Sequence, residues 1–122
     1  MADPAQLHLT ICQYATFVLN LTWKDSDDNV YDLSSYSADM QVRETAASVE
    51  IIVEVSTGTG EIVLGSTSPN ISVTIGDDVT GELTPQLVVY DMVLEAPDGT
   101  VTRLIEGQME IRAGVTREEV VP

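Results

Sequence analysis

Val88-Val89-Tyr90-Asp91-Met92-Val93-Leu94-Glu95-Ala96-Pro97-Asp98-Gly99-Thr100-Val101 is the stretch that decides how this chain folds. Val88, Tyr90, Met92 and Leu94 recur at every second position, which sends them to one face of an extended strand and Val89, Asp91 and Val93 to the other. The break at Ala96 to Thr100 contains an Asp-Gly pair, and glycine takes the positive φ of a tight turn without a side-chain clash. Val101, Ile105, Met109 and Ile111 then return at even spacing. The segment reads as an antiparallel hairpin with one buried face and a well-defined register.

The same period runs outward from this hairpin toward the N-terminus. Leu7, Leu9 and Ile11 alternate with His8, Thr10 and Cys12, and Phe17, Leu19, Leu21 and Trp23 alternate with Val18, Asn20 and Thr22. The short connection around Gln13 to Ala15 suggests that these two runs form a hairpin, with Trp23 as a core anchor. Lys24-Asp25-Ser26-Asp27-Asp28-Asn29 is rich in side chains that bond their own backbone and reads as a turn, after which Val30, Tyr31 and Leu33 resume a strand. Ser34 to Ser37 make a short turn or a one-turn helix. Ala38, Met40 and Val42, then Val49, Ile51, Val53 and Val55, read as half-buried strands. Gly58-Thr59-Gly60 breaks the chain before Ile62-Val63-Leu64. Gly65 to Pro69 turn it again before Ile71, Val73 and Ile75, and Asp77 to Leu83 suit one helical turn.

About eight short strands separated by turns, with no long helical period, predict an all-β domain, either a β-sandwich or a barrel, with the sandwich preferred. No linker or repeat divides the chain. It is therefore taken as one domain over 1–122, with a core at about 6–112 and extended arms at Met1 to Gln6 and Ala113 to Pro122. At this length folding hides roughly two-thirds of the surface of the unfolded chain, enough for one core.

Composition narrows the function classes. Five Lys and Arg against 20 Asp and Glu leave a net charge of −15, which repels nucleic-acid phosphates and anionic lipid. No apolar run approaches the roughly 18 residues of a membrane-spanning helix, and the start lacks a basic stretch followed by an apolar one. The expectation is a domain that neither binds nucleic acid nor enters a membrane. A single cysteine, Cys12, excludes an intrachain disulfide and a cysteine-rich zinc site, and reads as a half-buried strand residue.

No constellation of residues carries chemistry, so no catalytic, cofactor-binding or metal-binding residue is assigned. Nucleophilic catalysis by a triad needs a histidine to relay the proton, and His8, the one histidine, falls in the outward phase near a terminus. Asp25, Asp27 and Asn29 imitate the start of a calcium loop, but Val30 stands where that loop bends on glycine and Tyr36 where it places a bidentate glutamate. A strand-connecting turn is the simpler reading, with weak calcium binding aided by Asp32 as the alternative. Paired carboxylates are numerous but cannot be set on facing walls from sequence. Asn20-Leu21-Thr22 and Asn70-Ile71-Ser72 match the glycosylation pattern, which recurs by chance.

Three segments carry a resemblance. Thr16 to Asp25, Asp32 to Arg43, and Val89 to Leu94 with Pro97 to Gly107 together resemble a group of short bacteriophage and prophage virion proteins, and more loosely the N-terminal domain of phage upper-baseplate proteins, an immunoglobulin-like sandwich. The likeness spans about residues 6 to 117, and its motifs are structural. This sequence has Asp28-Asn29 where that pattern usually has Asp-Gly or Asn-Gly, and asparagine tolerates the positive φ. Upper-baseplate proteins continue into a fibre-forming region that this sequence lacks, which argues against a whole receptor-binding fibre.

The resemblance implies an immunoglobulin-like antiparallel β-sandwich and a non-enzymatic virion component, assembled in the bacterial host cytoplasm as an oligomer in the particle. Its partners would be the major capsid protein or tail and baseplate proteins. A capsid cement or decoration protein leads, with a tail or baseplate adaptor as the alternative. A host-surface carbohydrate-binding module using Tyr14 or Tyr31 is a further class, and a hydrolase has the least to rest on.

Overall fold

The computed structural model describes residues 4–115. Among them are nine strands, β1 (Ala5–Gln6), β2 (Leu9–Cys12), β3 (Phe17–Leu21), β4 (Ser37–Arg43), β5 (Val53–Ser56), β6 (Ile62–Leu64), β7 (Ile71–Ile75), β8 (Gln86–Glu95) and β9 (Val101–Arg112), and the short helix α1 (Asp77–Thr80). They form two sheets. The larger has the order β1-β9-β8-β4-β5, with β2 also paired to β9, and the smaller has the order β3-β7-β6. Two separate sheets with open edges make this a sandwich rather than a barrel. The arrangement, with β3, β7 and β6 facing β9, β8, β4 and β5, is the immunoglobulin-like antiparallel β-sandwich.

The period-two reading places the core well. Ala38, Met40 and Val42 on β4, Ile71, Val73 and Ile75 on β7, and Val88, Tyr90, Met92 and Leu94 on β8 are all buried. Leu9 and Ile11, Val53 and Val55, Ile62, Ile105, Met109 and Ile111 complete the filling between the sheets. Phe17, Leu19 and Leu21 are half-buried against it, while Val18 and Asn20 on β3 face outward.

The expected first hairpin does not form. β2 pairs in parallel with β9, from Leu9↔Met109 to Cys12↔Arg112, while β3 pairs with β7 in the other sheet. Gln13 to Thr16 therefore carry the chain from one sheet to the other. Tyr14 takes a positive φ of 65° there, and the crossing is pinned by Gln13 Nε2 donating to the Leu83 carbonyl (2.6 Å) and Thr80 Oγ1 donating to the Ala15 carbonyl (2.9 Å). Alternation is identical for either sheet, so it cannot tell a hairpin from a crossover.

Other departures follow from local causes. Val30 makes only an isolated bridge to Lys24, and Tyr31 to Leu33 form no strand. The positive φ in the acidic turn falls on Asp28 (68°) and not on Asn29. Val49 and Ile51 are exposed, and β5 begins only at Val53. Val101 is also exposed, because a bulge shifts the register from Met92↔Ile105 to Val93↔Arg103 and inserts Leu104. One added residue turns Val101 to the outer face and brings Thr102 opposite buried Leu94. Trp23 is half-buried rather than a central anchor, with its ring 4.4 Å from that of Tyr31 at 40°. Cys12 is exposed, not half-buried.

The described parts of the expected arms are bonded to the domain. Ala5 and Gln6 belong to the sheet, paired with Ile105 and Glu106. At the other end Gly114 N donates to Gln13 Oε1 (3.0 Å), so the chain is still held there. Met1 to Asp3 and 116–122 lie outside the described residues.

Candidate functional site

The outward phase of β1, β9, β8, β4 and β5 is polar, and strand register turns it into ordered rows. Gln6 lies opposite Glu106, Glu106 opposite Asp91, Asp91 opposite Gln41, and Gln41 opposite Glu54, giving one row of five polar side chains across five strands. On one side runs the row Gln108, Val89 and Arg43. On the other runs Arg103, Val93, Asp39 and Ser56. Cross-strand neighbours stand about 5 Å apart at their Cβ atoms, close enough for these side chains to bond one another.

They do so. Arg103 Nε donates to Asp91 Oδ2 (2.8 Å), Gln6 Nε2 to Glu106 Oε2 (2.8 Å), and Gln41 Nε2 to Glu54 Oε2 (3.1 Å). Arg43 donates through Nη2 to Gln41 Oε1 (2.7 Å) and through Nη1 to the carbonyls of Ser48 (2.7 Å) and Val49 (2.9 Å). An open trough of about 530 Å³ runs over this network, lined by Gln6, Gln41, Arg43, Asp91, Arg103 and Glu106 among others.

Asp39 sits at the edge of the network. Its Oδ1 is buried and has no hydrogen-bond partner among the described residues. Burial first, then hydrogen bonding with Glu54, then the negative charges of Glu54 and Asp91 push its carboxyl above the ordinary aspartate range, against a smaller lowering by the Met40 backbone. A central strand therefore holds an acid that resists ionisation beside two other acids.

The residues considered from sequence lie elsewhere and apart. In the acidic turn Asp25 Oδ1 accepts from the backbone N–H groups of Asp27 (2.9 Å) and Asn29 (3.0 Å), and Asp28 pairs with Lys24 (3.3 Å). Asp32 Oδ1 accepts from the Ser34 hydroxyl and N–H, which hold its carboxyl below the usual range. These carboxylates act as turn caps, and no group of three or more His, Cys, Asp or Glu among the described residues is placed to hold a metal. His8 is exposed between β1 and β2, and Tyr14 and Tyr31 are half-buried. Asn70 is buried, with Nδ2 donating to the Trp23 (3.0 Å) and Tyr31 (2.9 Å) carbonyls, so its amide serves packing.

The carboxylates of the outer face were missed as a group. Each is legible as an outward strand residue, but only register sets Asp91 beside Glu106 and Gln41, and no signal in the sequence specifies which strands are neighbours.

No family model matches this chain, and no curated protein matches it. Solved structures similar to it in overall fold include ICOS in complex with ICOS-L and an anti-ICOS-L VNAR domain, at 6% identity and a TM-score of 0.47 over 91% of this chain and 56% of that one. Another comes from a photo-crosslinking study of multimeric cell-adhesive interactions of VGSC beta subunits, at 9% identity and a TM-score of 0.48 over 95% of this chain and 98% of that one. A third is extracellular domains 3–5 of Drosophila OTK, at 12% identity and a TM-score of 0.40 over 85% of this chain and 32% of that one. The chain thus spans about half of the first of these.

Proposed function

We propose that this chain is a non-enzymatic structural protein of a bacteriophage virion, a capsid cement or decoration protein that docks on neighbouring virion subunits. The observation that carries the docking part of this reading is the outer face of the larger sheet, where five strands present a row of hydrogen-bonding side chains over an open trough. Its groups bond one another rather than converging on a reacting atom, which suits a preorganised contact surface. The open edges of β3, β5 and β6 offer backbone pairing as a second means of attachment. The virion assignment itself rests on the resemblance of the three sequence segments.

A tail or baseplate adaptor is the second reading, favoured by the looser upper-baseplate resemblance of the three sequence segments. Counting copies per purified particle separates the two, since hundreds of copies mean the capsid and a few tens or fewer the tail. A chain that co-purifies with no particle overturns both. A sugar-binding module draws less support, because Trp23 and Tyr31 are both half-buried and their rings are in tilted contact with each other.

A further inference from the structure

We propose that two copies of this chain pair along the free edge of β3, antiparallel and about a two-fold axis at Leu19, joining their smaller sheets into one. This goes beyond the docking reading above and does not rest on it, because such a dimer needs no particle. Backbone direction leaves the edge open. Thr74 N donates to the Glu61 carbonyl (2.9 Å) and Gly65 N to the Asn70 carbonyl (3.0 Å), so Asn70, Ser72 and Thr74 turn their backbone groups toward β6. Successive residues of a strand direct N–H and C=O to opposite sides, which leaves Ile71, Val73 and Ile75 to bond Leu21, Leu19 and Phe17 of β3. The N–H and C=O groups of Val18 and Asn20 therefore point away from β7, and among the described residues no backbone partner meets them.

Charge selects the occupant. The chain carries −15, yet the stretch from Pro4 to Trp23 holds no Asp, Glu, Lys or Arg. Copies of one acidic chain repel each other and meet at least cost where neither presents a carboxylate. The edge strand β5 contains Glu54, and β6 is three residues long and follows Glu61. β3 has no charge and no proline of the kind that blocks edge pairing. A basic partner would be drawn to the acids elsewhere, whereas a second copy is the partner for which an uncharged edge matters.

The β3 sequence is also self-complementary. Pairing about Leu19 sets Val18 opposite Asn20 of the second copy as a hydrogen-bonded pair, and Phe17 opposite its Leu21. Phe17, Leu19 and Leu21 are only half-buried in a single copy. At the Leu21 end an apolar groove of about 300 Å³ opens between the sheets, lined by Leu7, Leu21, Trp23 and Leu104 among others. The register brings Phe17 of the second copy beside that groove, and removing these apolar groups from water drives the pairing.

The test is sedimentation equilibrium of the purified full chain from micromolar to millimolar concentration. It is expected to show a monomer in exchange with a dimer, and added salt is expected to favour the dimer by screening the repulsion between copies. Hydrogen exchange at the Val18 and Asn20 amides should slow as the dimer fills. Val18→Glu, at a position 56% exposed, brings two acids diagonally across the join and is expected to weaken the dimer at least tenfold. Val63→Glu adds the same charge at a position 60% exposed on β6 and is expected to change it less than twofold. Asn20→Pro removes a donor that the β3 and β7 ladder does not use and is expected to leave a folded monomer. Should that variant unfold, Val18→Glu still decides. A monomer at every concentration, a dimer weakened equally by both glutamates, or a dimer that salt dissociates overturns the proposal. So does protection of the Val18 and Asn20 amides that is the same at every concentration, which would mean that a segment of the same chain covers the edge.

Discussion

The Tyr90 hydroxyl donates a 2.7 Å hydrogen bond to the backbone carbonyl of Leu7, tying the buried face of β8 to the joint between β1 and β2 on the far side of β9. The bond passes Gly107, which lies opposite Tyr90 in the ladder, and a Cβ on Gly107 would come within 2.3 Å of that same Leu7 oxygen. An absent side chain on one strand lets a neighbouring strand approach and lets a third reach it.

Gly107→Ala should therefore destabilise the domain by about 2 to 3 kcal/mol, since the group it meets is backbone and cannot swing aside. Chemical denaturation checks this, and a loss under about 0.5 kcal/mol would show that β1 and β2 are not held against β9 as described.

Tyr90→Phe should cost about 1 to 2 kcal/mol at neutral pH by leaving the Leu7 carbonyl unsatisfied. Burial pushes the Tyr90 phenol up to about 12, above its ordinary value of 10.0. The folded chain holds a proton that the unfolded chain releases in that interval, so the contribution is whole below pH 10 and lost as pH rises toward 12. Melting curves should show this alkaline loss in the native protein and not in Tyr90→Phe.

Asp39→Asn should raise the melting temperature at neutral pH by a few degrees. The Asp39 carboxyl is held above its unfolded range, so its favourable contribution exists at low pH and disappears as pH rises through the folded value. The amide carries no charge to bury. The gain should shrink on acidification to the ordinary aspartate range, and a gain independent of pH would count against the burial described.

Asn70→Ala should cost about 2 to 3 kcal/mol, because Asn70 Oδ1 accepts from the Trp23 N–H (2.8 Å) while Nδ2 serves the carbonyls of Trp23 and Tyr31. Hydrogen exchange should speed up in the loop from Trp23 to Tyr31 before it does so in β7.

Trp23→Ala should cost about 1 to 3 kcal/mol, less than the 3 to 5 kcal/mol of a fully buried tryptophan, because the ring is half-buried and rests on Tyr31. Denaturant midpoints measure the difference.

Particular residues show how far sequence reasoning reached. Met40, Val73 and Met92 were legible as core because alternation reports which side of a strand is dry, and Gly99 at a φ of 92° was legible as a turn because few residues adopt it. The outer-face acids were legible one at a time. Asp39, Asp91 and Glu54 each occupy the outward phase, yet they become a cluster only because β4 lies between β5 and β8.

The amino-acid order by itself determined the all-β class, the inward and outward side of most strands and the acidic excess, since these depend on side-chain period and composition within a few residues. Only the tertiary structure decided that Gln13 to Thr16 cross between sheets, that a bulge at Leu104 reverses Val101, and that three strands gather their carboxylates around Asp39. Those outcomes depend on which distant strands exchange backbone hydrogen bonds. Backbone N–H and C=O groups are the same at every residue, so a local pattern does not encode that choice.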